Sequence, residues 1–261
     1  MCKPTYFDVI HKGLNAHMNM QRNVDKTLAL VQYTNLTNFI RSIAVDINFI
    51  YPKPELVDMV FAANGALIDK KNKKAVVASF AASPRINETK HWKSFLESKN
   101  YNVCTLNSHF EGQGDALFSH NNSKLWVGHG FRTSLNATIE LKALLPRTEI
   151  FPLKLVDPLY YHLDTCFCVL NETSVMYYPP AFDEDSLASI KKSFKTCIIV
   201  SDQDARNFAC NAVEAYGYII LHNASVHLKE KLETLDLNVI EIDMSEFLLS
   251  GGSVKCCILH T

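Results

Sequence analysis

Residues 65–106 read GALIDKKNKKAVVASFAASPRINETKHWKSFLESKNYNVCTL. Apolar runs at 65–69 and 74–80, separated by lysines and an asparagine, predict two short strands joined by a turn. A helix over about 87–98 and a strand over 101–106 follow. The same order of strand, strand, helix, strand is legible again downstream. Strands at 115–119 and 124–128, a helix at 134–145 and a strand at 148–155 make one copy. Segments 165–170, 174–178, 184–194 and 196–200 make another, and 206–210, 217–221, 224–234 and 237–242 a third.

Before the quoted stretch, Leu28, Val31, Leu36, Phe39, Ile40 and Ile43 recur at helical spacing. Residues 45–51 then alternate like a strand that Pro52 and Pro54 end, and 58–62 read as one more strand. A short helix at 245–249 and an apolar strand at 254–259 close the chain. No low-complexity linker interrupts about five such modules, so the expectation is one α/β domain over 1–261. The first helix and the last strand are expected to close the modules into a ring.

With 261 residues, 48% of them hydrophobic, the chain can bury a substantial core. Lys plus Arg (26) nearly balances Asp plus Glu (27), which leaves no field for nucleic acid or an anionic membrane and favours a small polar substrate. No run of about 18 apolar residues is present. Met1 to Thr5 lacks the features of a signal peptide, so a cytoplasmic setting with the eight cysteines mostly reduced is expected. Neither Cys166-Phe167-Cys168 nor Cys256-Cys257 has structural zinc spacing, and Cys2, Cys104, Cys197 and Cys210 read as packing thiols. The balance of charges admits a homo-oligomer without requiring one.

Chemistry-bearing residues concentrate at glycines and strand ends. Glu111 and Asp115 bracket Gly112 and Gly114 at the mouth of a predicted strand, where a ligand can approach the backbone closely. His162 and Asp164 alternate along an extended segment, which puts an imidazole beside a carboxylate. Arg85 and Arg132 follow predicted strands, and each could fork onto a carboxylate. Gly251-Gly252 precede Lys255-Cys256-Cys257, where Lys255 is expected to lower a neighbouring thiol's pKa. Alternation puts Cys256 and Cys257 on opposite faces, and spacing does not choose between them. Taken singly, each of these features is an ordinary turn, cap or packing residue. Together they make a kit for nucleophilic attack on an amino acid.

Read in order, the motifs resemble the guanidino-group-modifying (pentein, amidinotransferase-like) superfamily, and within it the arginine dihydrolases. The resemblance rests on Met1-Cys2-Lys3-Pro4 with Phe7-Asp8-Val9, on Asp58 to Gly65, and on Phe110 to Leu117. It extends through His162 to Cys168, Tyr177 to Asp183, Asn207 to Ala212 and the terminal Gly-Gly-x-x-Lys-Cys, and so covers essentially the whole chain. It implies a five-bladed α/β propeller of strand-strand-helix-strand modules around a polar channel. It implies Cys256 as nucleophile and His162 as general acid and base, with Glu111 and Asp115 orienting the catalytic groups. By the same matching Asp164 holds the guanidinium, and Arg85 and Arg132 bind the amino-acid carboxylate. Asn15 stands where the family has another site asparagine, although Leu14-Asn15-Ala16-His17-Met18 departs from the usual Asn-Pro-Trp-Met. No metal or organic cofactor is implied.

The implied chemistry has a physical basis. A guanidinium carbon is electrophilic only while the group stays protonated, so carboxylates that stabilise the cation sustain its reactivity. Related deiminases and dimethylargininases generally have a carboxylate where Asn64 stands, and it would oppose the ureido oxygen of citrulline. An amide offers both an acceptor and a donor, so Asn64 is expected to hold first the guanidinium and then the ureido group. The implied outcome is ornithine, carbon dioxide and two ammonia from arginine. The alternatives are a deiminase or dimethylargininase that stops at citrulline, an amidinotransferase, or a silent binding protein of the same fold.

Overall fold

The computed structural model describes residues 1–11, 13–18 and 22–261. Helix α1 (Lys26–Ser42) begins where the Asp25 carboxylate accepts hydrogen bonds from the amides of Thr27 and Leu28, a cap that contributes about 1 kcal/mol. Its buried face carries Ala29, Gln32, Tyr33, Leu36, Thr37 and Ile40, the three-and-four spacing of one helical stripe.

The quoted stretch folds as its pattern predicts. Strand β1 (Ala66–Asp69) pairs antiparallel with β2 (Lys74–Val77), helix α2 (Glu88–Ser98) crosses over, and β3 (Asn102–Thr105) joins β2 in parallel. The unit then recurs. After the short helix α3 (Gly112–Asp115) come β4 (Ala116–Ser119), β5 (Lys124–His129), α4 (Asn136–Leu144) and β6 (Glu149–Lys154). Next are β7 (Phe167–Val169), β8 (Ser174–Tyr177), α5 (Glu184–Ser193) and β9 (Thr196–Ile199). The last unit follows helix α6 (Asp202–Arg206) and consists of β10 (Val213–Ala215), β11 (Tyr218–Leu221), α7 (Val226–Glu233) and β12 (Asn238–Glu241). Helix α8 (Ser245–Leu248) completes the series.

Among the described residues there are thus four three-stranded sheets, each with one antiparallel and one parallel pairing. The middle strand needs apolar residues on both faces because it is paired on both edges and covered by a helix. In β5 this produces Leu125, Trp126 and Val127, all fully buried. Trp126 stacks on Phe151 at 4.5 Å and sends its indole N–H to the Ser119 hydroxyl at 2.9 Å, so the ring's polar edge is satisfied inside the core.

Four expected strands are corrected. Residues 45–51 make only a single parallel bridge, Cys2 to Ile50. Residues 58–62 form 3₁₀ turns (Val57–Val60 and Ala62–Gly65), and 206–210 are the end of α6 and a turn. The terminal 254–259 contains the 3₁₀ turn Lys255–Cys257 instead of a strand. Residues 58–62 and 254–259 are mostly apolar, buried runs, and a short buried run has the same composition whether it is extended or coiled.

The ends of the chain share one core. Tyr33, Leu36 and Ile40 of α1 pack with Phe7, Phe61, Phe247, Val254, Cys256 and Cys257. Gln32 anchors the seam, giving its amide hydrogens to Asp243 and Ser245 at 2.8 Å each and accepting the Glu246 N–H at 3.1 Å. Among the described residues no helix is long and apolar enough to cross a membrane.

Candidate active site

The site residues occupy corresponding places in the repeated units. Asn64 lies just before β1, Glu111 and Asp115 before β4, His162 and Asp164 before β7, and Asn211 before β10. The turns are tight. Gly112 adopts φ +55°, and a Cβ there would lie 2.8 Å from the carbonyl oxygens of Ala63 and Ala66, so the second turn can seat against the first only with glycine. A side chain at Gly114 would overlap the Asn64 amide.

Cys256 is buried, at 2% exposure. Its thiol lies 3.3 Å from Asp164 Oδ2 and accepts a hydrogen bond from Asn211 Nδ2 at 3.1 Å. The same Asn211 amide donates to the Asp164 carbonyl at 3.0 Å and accepts the Cys256 N–H at 3.2 Å, which fixes sulphur and carboxylate together. Burial and then the adjacent Asp164 push the Cys256 thiol well above its ordinary 9.0, against the pull of the Ser253 backbone and Asn211. The resting site therefore holds a thiol. Lys255 does not activate it as expected. Its ammonium reaches Gln113 Oε1 at 3.4 Å and the Ile258 carbonyl at 3.3 Å, toward a different cavity. Cys257 packs in the core and is pushed up by burial beyond the usual thiol range.

His162 Nε2 lies 2.7 Å from Glu111 Oε2, with both groups buried. Burial acts to raise Glu111, but the His162 hydrogen bond and charge, with Arg132 and Arg85, hold it down at about 2. Asp115 supports this pair from behind. It accepts the Leu163 N–H at 3.1 Å and the Thr133 hydroxyl at 2.7 Å, while Thr133 Oγ1 receives the Glu111 N–H at 3.0 Å. Burial raises Asp115 to about 6.

Among the described residues six buried side-chain atoms have no partner, and two of them belong to candidate site residues: Asn64 Nδ2, a donor, and Asp164 Oδ1, an acceptor. Unmade hydrogen bonds of this kind cost about 1–3 kcal/mol each, so the fold retains them at a price that a ligand can offset. Burial also lifts Asp164 from its ordinary 3.8 to about 6, opposed by Lys255, the Cys256 hydrogen bond and Asn211. A carboxyl with a raised folded pKa contributes stability below its unfolded value and loses it as pH rises through the folded one. At pH above 6 the difference disfavours the native state by about 3 kcal/mol. Asp164→Asn is therefore expected to be inactive yet to melt higher than wild type at pH 8, with the gap narrowing toward pH 4.5. A pH-independent gap in thermal melts would contradict this origin.

The two arginines sit in different surroundings. Arg85 is buried and gives Nε and one terminal nitrogen to Glu88 at 2.8 and 3.0 Å, with further bonds to the carbonyls of Asp58 and Phe61. Its other terminal nitrogen meets Asn64 Oδ1 at 3.0 Å. A buried guanidinium needs a carboxylate, and Glu88, three residues on, already provides it. Arg85 is thus committed to the protein, and Asn64 shows the site only its donor, not both ends of its amide. Arg132 lies over the Tyr161 ring at 4.9 Å, donates to the Leu14 carbonyl at 2.6 Å and sits 3.5 Å from Glu111.

Asn15 also turns inward on the protein. It donates to Tyr161 and to the Ser250 carbonyl at 3.1 and 2.9 Å, and accepts the amides of His17 and Met18. These bonds draw residues 14–18 across the site and leave a cavity of about 20 Å³ bordered by Asp58, Arg85, Arg132 and His162. A larger cavity, about 520 Å³, is lined by Gln113, Lys255 and His260 and contains none of these groups. The small one is bordered by His162, Arg85 and Arg132, while Cys256, Asp164 and Asn64 do not line it. Asn211 and Thr133 were not singled out from sequence, although Asn211 stands inside a quoted motif. Among the described residues no group of three or more His, Cys, Asp or Glu side chains converges as a metal site.

A buried thiol against a carboxylate and an imidazole on a second carboxylate, on this α/β frame, are the marks of the guanidino-group-modifying enzymes. Residues 8–261 match the family of eukaryotic N,N dimethylarginine dimethylhydrolases. The chain belongs to that family. It is 34% identical, over all of its own length and 84% of the relative, to the N(G),N(G)-dimethylarginine dimethylaminohydrolase of Mycobacterium tuberculosis. It is 38% identical over its whole length to the bifunctional arginine dihydrolase/ornithine cyclodeaminase ArgZ of Synechocystis, of which it spans 37%. The crystal structure of the ArgZ N-terminal domain bound to substrate superposes with a TM-score of 0.94 at 36% identity, covering 99% of this chain and 96% of that one.

Proposed function

We propose that the chain is an arginine dihydrolase that converts L-arginine and two waters into L-ornithine, carbon dioxide and two ammonia. The observation that carries the reading is a pair of buried groups without a partner, the Asn64 donor and an acceptor of Asp164, the carboxylate that meets the Cys256 sulphur. A guanidinium seats on Asp164, and its charge draws the thiol pKa down when the substrate arrives. Cys256 thiolate attacks the guanidinium carbon, and the bond to a terminal nitrogen breaks as His162 protonates the leaving ammonia. The amidino-cysteine that remains is hydrolysed by water that His162 deprotonates, with Glu111 holding the imidazole in place. Asn64 Nδ2 then donates to the ureido oxygen of bound citrulline, which keeps it in place for a second attack. Loss of the second ammonia and hydrolysis leave a carbamate that yields carbon dioxide and ornithine.

Asp115 positions His162 and Glu111 in this scheme, and Asn15 tethers the segment over the site. A cavity of about 20 Å³ holds no more than a water, so residues 14–18 must lift to admit an amino acid. Four sheets of one build, site residues at matching places, and the shared core of the two chain ends support a single five-module propeller over 1–261 around this site. The M. tuberculosis relative's name favours a second reading, removal of the substituted nitrogen with release of citrulline.

Arg132 is assigned the substrate carboxylate. It borders the cavity, and one terminal nitrogen is held by the neutral Leu14 carbonyl, which a carboxylate can displace, while the other lies 3.5 Å from Glu111. Arg132→Ala is expected to raise KM for arginine about 10- to 100-fold, the equivalent of about 1.5–3 kcal/mol. Agmatine, which lacks the carboxylate, should be a poor substrate for wild type and lose little further in the variant. Equal turnover of agmatine and arginine by wild type would remove the amino-acid substrate. Ornithine formed from added citrulline tests the second step, and its absence would leave the citrulline-releasing reading.

A further inference from the structure

Glu88 was given no part by the sequence, yet it is fully buried beneath the site in the first turn of α2. Both carboxylate oxygens engage Arg85, and the Trp92 indole donates to one of them at 3.4 Å. Arg85 is further held by the carbonyls of Asp58 and Phe61 and by the Phe80 ring at 4.6 Å. It therefore has little freedom, and it presents an N–H to the Asn64 side chain. A guanidinium has donors only, so the amide atom that faces it is the oxygen. The nitrogen is turned to the site, against Gly114, where it has no protein partner. Rotating the amide by half a turn would set donor against donor at Arg85 and offer the ligand an acceptor.

Resting on the dihydrolase reading, we propose that Glu88 is a positioning residue that, through Arg85, locks the Asn64 amide with its donor toward the ligand. It thereby sets the partition between citrulline release and a second hydrolysis. The first step does not need the donor, because Asp164 accepts from the guanidinium. The second step does, because a ureido oxygen requires one.

The test measures kcat/KM on arginine and on citrulline, with the ornithine-to-citrulline ratio, for wild type, Glu88→Gln and Glu88→Asp. For Glu88→Gln, citrulline hydrolysis is expected to fall about tenfold or more while arginine consumption falls less, because only one step uses the donor. Glu88→Asp, which keeps the charge, should recover part of the ratio. Loss of correctly folded protein alone would lower both activities in parallel, so an unchanged ratio overturns the proposal. If Glu88→Gln does not fold, the Arg85→Met/Glu88→Met pair removes both charges together and avoids an unpaired one. It too should shift products toward citrulline, and a wild-type ratio in that variant overturns the proposal. Wild-type protein that makes no ornithine removes the dihydrolase reading and this proposal with it. Ornithine production with an unshifted ratio removes the proposal alone.

Discussion

Replacing Cys256 by serine is expected to reduce arginine turnover by roughly four orders of magnitude or more, because an alcohol is far harder to ionise than a thiol and the Asp164 carboxylate beside it is too weak a base to do so. Asn211 and Asp164 hold in place the sulphur to which the proposed mechanism gives the nucleophilic role. Cys257→Ser should behave in the opposite way. That side chain is buried in the core with Tyr33 and Phe247, so a hydroxyl there costs about 1–3 kcal/mol of stability while leaving the site intact. Activity per folded molecule and melting temperature, measured on both variants, separate the two roles. Equal losses of turnover from the two changes would undo the assignment of the nucleophile.

The second large effect is expected at Asn64. In Asn64→Asp one carboxylate oxygen still meets Arg85, but the other turns an acceptor toward the ligand in place of the amide donor. A guanidinium tolerates or welcomes that change, whereas a ureido oxygen is repelled by it. The citrulline step should slow by about a hundredfold, the loss of a hydrogen bond plus the repulsion left behind, while arginine is still consumed. Citrulline should then accumulate where the wild type passes it on. Separation of citrulline from ornithine by chromatography reads the result directly, and an unchanged product ratio would remove Asn64 from the second step.

The sequence carries the repeated units because hairpin and crossover leave local traces. Apolar runs at 65–69 and 74–80 with a polar turn between them can hardly pair otherwise, and the helix after them has its own spacing. It misleads where apolar residues are packed without being paired. Met59-Val60-Phe61 and Val254 to Leu259 are buried throughout, yet they pair with no strand and carry the 3₁₀ turns Val57–Val60 and Lys255–Cys257. The catalytic set was legible from its place beside glycines and from the family resemblance. The orientation of its members was not. Nothing local says that Arg85 is taken by Glu88, that Lys255 is held by Gln113 and the Ile258 carbonyl, or that Asn211 binds Cys256 across 45 positions of chain. Those facts depend on burial, which forces each charge to find its nearest partner.

Burial also explains why the resting site is quiet. The thiol, Asp164 and Asp115 all sit where charge is costly, and each is shifted toward its neutral form. A guanidinium brings the missing positive charge, so activation of the nucleophile is tied to the presence of the right substrate. A neutral ureido group cannot do the same, and in the proposed second round the unpartnered Asn64 donor is the feature that would compensate.

The most direct measurement is the stoichiometry of complete arginine consumption by the wild-type protein. Ammonia and ornithine should appear in a ratio of two to one, with citrulline rising only transiently. One ammonia per arginine with stoichiometric, persistent citrulline would contradict the dihydrolase account.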